Sequence, residues 1–268
     1  DKTLEVLRSR FSKMPKSAYR ETPETKEQID FIEQFINTNR SYNEEKAKRV
    51  HDSIRGCLMA GAAGDALGYK VEFMSRRAIL SRFGEQGITK FALDNNGKAL
   101  ISDDTQMTLF TANGMLMGLT RGYMRGIGGR PEQYVDIKYL DWYYTQTGKK
   151  REMLIDDWHP TWLRDLPEMA QLRAPGNTCL SACESLFRGE KAQNNSKGCG
   201  GIMRVAPMAL LDAGYASRNE NSYSIEELAE AGGEIAECTH KHPLGFLPAS
   251  LLTVLLHKVV PMSAKQVQ

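Results

Sequence analysis

The sequence has no apolar run long enough to cross a bilayer. Its longest, Leu244 to Leu256, is broken by Gly245, Pro248, Ser250 and Thr253 and falls short of the roughly 20 residues a spanning helix needs. The N-terminus, Asp1-Lys2-Thr3-Leu4-Glu5, carries no apolar h-region, so no secretory signal is read and a cytoplasmic location is expected. An excess of one charge is also missing. With 35 Lys and Arg against 33 Asp and Glu, neither nucleic acid nor an anionic membrane is expected as a partner of the whole chain. The five cysteines include no C-x-x-C pair, and an odd number argues against a disulfide framework or a zinc site. Cys57, Cys179, Cys183, Cys199 and Cys238 are therefore read as buried free thiols, which behave as small hydrophobes. No low-complexity tract, no fixed-period repeat and no convincing period-2 strand stands out.

What is present is helical periodicity. Val50, Ile54, Cys57, Leu58 and Gly61 recur at helical spacing, as do Met107, Phe110, Met115, Leu116 and Leu119, and Tyr134, Ile137, Tyr139, Leu140 and Tyr144,. Further helices are predicted over 178–187, 203–212, 225–238 and 246–260, separated by loops bearing Gly and Pro. The class is all-α, and 268 residues suit one large domain with an appendage. Residues 1–48 form that appendage. The first twenty carry six Lys and Arg against Asp1 and Glu5, and Thr22-Pro23 reads as an N-cap with Pro in the first turn. A short amphipathic helix with Ile29, Ile32, Phe35 and Ile36 should follow, then a polar linker over 37–43. At the other end, Pro261-Met262-Ser263 reads as a helix stop and a fresh N-cap. The domain of residues 49–268 is thus expected to lack a C-terminal part of its own fold.

Four segments could carry chemistry. Gly56, Gly61, Gly64 and Gly68 crowd one helical window at about 1 kcal/mol each relative to Ala, so close helix packing or a nearby ligand should compensate; Asp65 and Glu72 sit at its end, where the helix dipole disfavours carboxylates. Ser102-Asp103-Asp104-Thr105 precedes a helix expected to start near Gln106. It either caps that helix or forms a hard oxygen cluster suited to Mg²⁺, Mn²⁺ or Ca²⁺. The loop from Gly198 through Cys199, Gly200, Gly201 and Ile202 to Met203 could offer backbone N–H groups to an anion, although it lacks the Gly-Lys-Ser/Thr ending of a Walker A loop. Thr239-His240 follows a helix, whose C-terminus would favour a cationic His. His51, His159 and His257 are read as structural.

Taken together and in this order, Gly61-Ala62-Ala63-Gly64-Asp65-Ala66-Leu67-Gly68 with Glu72, Ser102-Asp103-Asp104-Thr105-Gln106-Met107, the loop Gly198 to Arg204 with Pro207, and Thr239-His240 resemble the ADP-ribosylglycohydrolase family. The resemblance covers about residues 49–268. It implies an all-α orthogonal multi-helix single domain with two Mg²⁺ ions, or Mn²⁺ in their place, that cleaves ADP-ribose from modified protein side chains, commonly arginine. By position, Ser102, Asp103 and Asp104 would be metal ligands and Glu72 an acid near the scissile ribose. Gly198, Cys199, Gly200, Gly201, Ile202 and Met203 would hold the diphosphate and ribose, and His240 would contact the ribose region. The family's remaining ligands come from an Asp-x-Asp-Thr/Ser motif near its C-terminus, which nothing after Asp104 supplies; Asp156-Asp157-Trp158 does not match it. The extension of residues 1–48 is expected to be a lid over the chain's own cleft, a docking element for a partner, or a segment packed on the bundle; some members act as immunity or antitoxin proteins, so the alternative function is a binding module whose N-terminal extension occludes an ADP-ribosyltransferase toxin.

Overall fold

The computed structural model describes residues 44–126, 129–149, 161–217 and 222–262. The basic arm, the helix expected before residue 38, Asp156-Asp157-Trp158, His159 and the cap expected at Ser263 lie outside the described residues, as does any occluding role of the extension. The chain divides into residues 1–44 and a compact unit of residues 45–268, and the fold below is that of the second unit.

The all-α expectation holds. Among the described residues there are eight α-helices: α1 (Glu44–Gly68), α2 (Arg76–Phe83), α3 (Asp103–Arg125), α4 (Val135–Thr147), α5 (Asn177–Phe187), α6 (Ala206–Ser217), α7 (Ile225–Glu237) and α8 (Pro243–Val259). Short 3-10 helices occur at Pro131–Tyr134, Trp162–Asp165 and Cys199–Arg204, and the sole extended pairing among these residues is an isolated bridge between Leu93 and Ala99. Helix α1 runs unbroken across residues 48 and 49. No helix among the described residues is long and apolar enough to cross a membrane.

Helix α3 is the central element. Gln106, Met107, Phe110, Thr111, Gly114, Met115 and Gly118 form its buried stripe at the i, i+3, i+4, i+7 spacing of one helix face. Helices α4 and α6 pack against it, and the same core cluster holds Tyr139, Trp142 and Tyr143 of α4, Met208 of α6, and Leu228 and Ile235 of α7. Full burial of such large apolar side chains stabilises by roughly 1.5–3 kcal/mol apiece. Gly114 is required for contact rather than for conformation: a Cβ there would lie 2.7 Å from Val135 Cα and 2.9 Å from the Tyr134 carbonyl. Helices α7 and α8 approach equally closely, since a Cβ on Gly233 would sit 2.6 Å from Ser250 Oγ. Helix α7 opens on a capping box, Ser224 with Glu227,.

Two helix starts differ from the expected ones. Helix α3 begins at Asp103 and not near Gln106, with Ser102 as its N-cap. Helix α8 begins at Pro243 and not at Phe246, because His242 accepts from the Leu244 N–H (3.0 Å) and Pro243 takes the first-turn position that needs no donor,. The buried-thiol reading holds for Cys179 and Cys183 but not throughout. Cys57 and Cys238 are half-buried and Cys199 is exposed on the glycine loop, all five being free.

Candidate active site

The end of α1 and the start of α3 meet through Asp65. Its carboxylate accepts from the backbone N–H groups of Ser102 (2.9 Å) and Thr105 (3.2 Å) and from the Thr105 hydroxyl. The Ser102 hydroxyl accepts from the Asp104 N–H at 3.2 Å. Ser102 and Asp65 therefore satisfy the orphan donors of the first turn. This separates the two readings of the segment: capping is done by Ser102 and Asp65, and the side chains of Asp103 and Asp104 are not needed for it.

Asp103 is buried and fixed from the loop before α5. Its Oδ2 accepts from the Gly176 N–H (3.1 Å), while its own N–H donates to the Arg173 carbonyl (3.0 Å). Burial pushes its carboxyl up to about 7 against the opposing Gly176 bond, with Asp104 and Glu72 adding repulsion. Asp104 is pushed up to about 6 by burial and by Asp65 and Glu72. Glu72 is raised by burial and then by Asp65. The fold thus brings together Glu72, Asp103 and Asp104, predicted as a set, with Asp65. Among the described residues no Lys, Arg or His forms an ion pair with any of these acids.

Such a carboxylate cluster fits a hard divalent cation, which would offset the burial and repulsion that raise its proton affinity,. The fit is partial. Among the described residues no three His, Cys, Asp or Glu side chains converge as a complete metal site.

The glycine loop forms the 3-10 helix Cys199–Arg204 and is tied to α3 by Thr108, whose hydroxyl donates to the Met203 carbonyl (3.0 Å). Its glycines have a packing reason that the sequence did not reveal. A Cβ on Gly200 would lie 2.9 Å from His240 Cε1 and 3.2 Å from Cys179 Sγ, and one on Gly201 would lie 2.7 Å from the Gly245 carbonyl and 2.9 Å from Ala236 Cβ. Ile202 and Met203 are half-buried and Gly198 is exposed. His240 is only 2 % exposed. Burial, then the nearby Arg204 guanidinium, lowers its ring to about 4, so the expectation of a cationic His at the α7 C-terminus is corrected: the ring is neutral at pH 7. The opposite correction applies to α1. At Gly56, Gly61, Gly64 and Gly68 a Cβ would meet nothing within 4 Å, so close packing among the described residues does not account for those glycines.

Two residues that hold this arrangement were given no role from the sequence. Gln106 is fully buried; its Nε2 donates to the Glu168 and Gln171 carbonyls (3.0 Å each) and its Oε1 accepts from Trp142 Nε1 (3.2 Å). It anchors the segment that presents Gly176 to Asp103. Arg204, also fully buried, donates to the carbonyls of Gly200 (3.0 Å), Ile235 (3.2 Å) and Ala236 (3.3 Å) and to the Thr239 hydroxyl, and lies over the Tyr139 ring. The available signal was a polar residue on a buried helical face. Of the remaining histidines, His257 lies 3.0 Å from the buried Asp212 carboxylate, a structural role as expected, whereas His51 is exposed beside Asp52.

Compared with known proteins, residues 46–267 match the family model described as ADP-ribosylglycohydrolase. No curated protein and no solved structure gives a match.

Proposed function

The chain belongs to the ADP-ribosylglycohydrolase family, whose chemistry is hydrolysis of glycosidic links to ADP-ribose, and on that premise we propose that it releases ADP-ribose from modified protein side chains, arginine first among them, with a divalent cation, Mg²⁺ by preference. The observation that carries this reading is the uncompensated acid cluster at the start of α3. Asp103 and Asp104, with the Ser102 oxygen, would hold the cation, which when bound polarises ligand oxygens and favours deprotonation of water. The family as a whole is metal-dependent; the choice and number of ions are part of the proposal.

The reaction replaces a C–N bond by a C–O bond at the anomeric carbon. Water adds its oxygen to that carbon, one of its protons must be removed, and the departing guanidine nitrogen must gain one. Glu72, an exposed residue whose proton affinity is raised by partial burial and then by Asp65, is suited to take and return that proton. The peptide N–H groups of Gly198 to Met203 would face the diphosphate, and His240 the ribose. The acceptor is tested by incubating the protein with Mg²⁺ and with protein substrates ADP-ribosylated on arginine or on serine, and measuring free ADP-ribose. Release from arginine is expected, with kcat lowered about a hundredfold or more in Glu72→Gln; release from serine alone would reassign the acceptor.

A further inference from the structure

The His240 ring is held by a chain of hydrogen bonds that starts at a permanent donor. Arg204 can only donate, so in its bond to Thr239 Oγ1 the threonine oxygen is the acceptor. That leaves Thr239 one proton to give. Its neighbours are His240 Nδ1 at 2.8 Å and the Cys179 sulfur, which already accepts from Arg204 Nη1 at 3.5 Å. A ring nitrogen is the stronger acceptor of the two, and the guanidinium on the far side of Oγ1 turns the hydroxyl proton away from itself and toward the ring. His240 Nδ1 then accepts, and its proton must sit on Nε2.

The Nε2 edge faces the glycine loop. A Cβ built on Gly198 or on Gly200 would lie 3.3 Å from Nε2, and among the described residues nothing hydrogen-bonds to that atom, although the side chain is almost wholly buried. The loop and the ring are locked to one another by the same guanidinium, which bonds the Gly200 carbonyl on one side and Thr239 on the other. Asn194 adds a second tie: its Nδ2 donates to the Thr239 carbonyl (2.8 Å) and its Oδ1 accepts from the Lys241 N–H (3.2 Å).

We propose that Arg204 and Thr239 are positioning residues that fix His240 as its Nε2–H tautomer, so that a neutral N–H donor, pre-aimed at the Gly198–Gly200 backbone, meets an oxygen of the bound ADP-ribosyl group. The identity of that ligand rests on the function proposed above; the tautomer does not. A neutral donor recognises a phosphate or ribose oxygen without gaining or losing a proton as the ligand arrives, and its orientation is set before binding.

The test is long-range ¹H–¹⁵N correlation of ¹⁵N-histidine-labelled protein at pH 7, with the His240 signals assigned by their loss in His240→Gln. The expected pattern is a protonated Nε2 and an unprotonated Nδ1. In Thr239→Val the pattern should move toward Nδ1–H, with ADP-ribose affinity by calorimetry falling about tenfold, the worth of one neutral hydrogen bond; Thr239→Ser should restore both. A wild-type ring protonated on Nδ1, or on both nitrogens, would overturn the proposal, as would a Thr239→Val protein with unchanged tautomer and affinity. If the wild-type ring carries its proton on Nε2 but free ADP-ribose does not bind, the positioning of His240 stands and the ligand assignment fails.

Discussion

Adjacent aspartates in the first turn of a helix ordinarily serve that helix, but at the start of α3 the capping is already done by Ser102 and Asp65. Substitutions should therefore separate two roles. In Asp103→Asn the fold survives, and because burial and repulsion oppose the ionised carboxyl, the apo protein is no less stable than wild type above pH 7, while ADP-ribose release falls at least about a hundredfold, beyond the effect of removing a supporting residue. Asp65→Ala removes an acceptor shared by two backbone N–H groups and lowers stability by about 1–2 kcal/mol. Thermal unfolding and product release on the two variants check both statements. Equal loss of stability in both would return Asp103 to a capping role.

At the scale of elements, the glycines divide into two kinds that the sequence could not tell apart. Gly201 is enclosed by the Gly245 carbonyl and Ala236, so Gly201→Ala must shift backbone and should cost about 1–3 kcal/mol. Gly61 and Gly64 open onto free space within α1 among the described residues, and Gly64→Ala should raise stability by about 0.5–1 kcal/mol. Chemical denaturation measures both, and a destabilised Gly64→Ala would show that something packs on that face. Most helices were legible because their apolar period was: the stripe from Met107 to Met115 and the α7 register needed no further information. The starts of α3 and α8 were not, since acid side chains and Pro243 read locally as loop, whereas a cap from Asp65, 37 residues away in sequence, extends the helix backward. The acids of the site were legible from their composition and order. Gln106 and Arg204 were not, because their partners are backbone carbonyls contributed by segments remote in sequence, which no local pattern encodes.

For the whole molecule, the acid cluster should write itself into the pH dependence of stability. Asp103 and Asp104 hold their protons up to about 7 and about 6 in the folded state, against about 3.9 for an unfolded Asp. Between these limits the folded state binds more protons than the unfolded one, so stability falls as pH rises from about 4 to about 7 and stays at its lower value above. The contribution should be absent from the double variant Asp103→Asn, Asp104→Asn. With roughly 2–4 °C in Tm for each kcal/mol, the difference between wild type and variant is measurable by calorimetry across that range. Saturating Mg²⁺, which binds the ionised carboxylates, should raise the Tm of wild type at pH 8 and leave the double variant unmoved. A wild-type Tm that follows the variant at every pH would mean that burial and mutual repulsion do not raise the proton affinity of Asp103 and Asp104 in solution.

The measurement closest to the central claim is release of free ADP-ribose from an arginine-ADP-ribosylated protein by the wild-type chain, with Mg²⁺ and again after chelation. The expected result is stoichiometric release of ADP-ribose and an unmodified arginine with Mg²⁺, lost with chelator and regained on adding the metal back. Release at the same rate in chelator would contradict the role given to Asp103 and Asp104, and no release from any ADP-ribosylated side chain in the presence of Mg²⁺ would contradict hydrolysis itself.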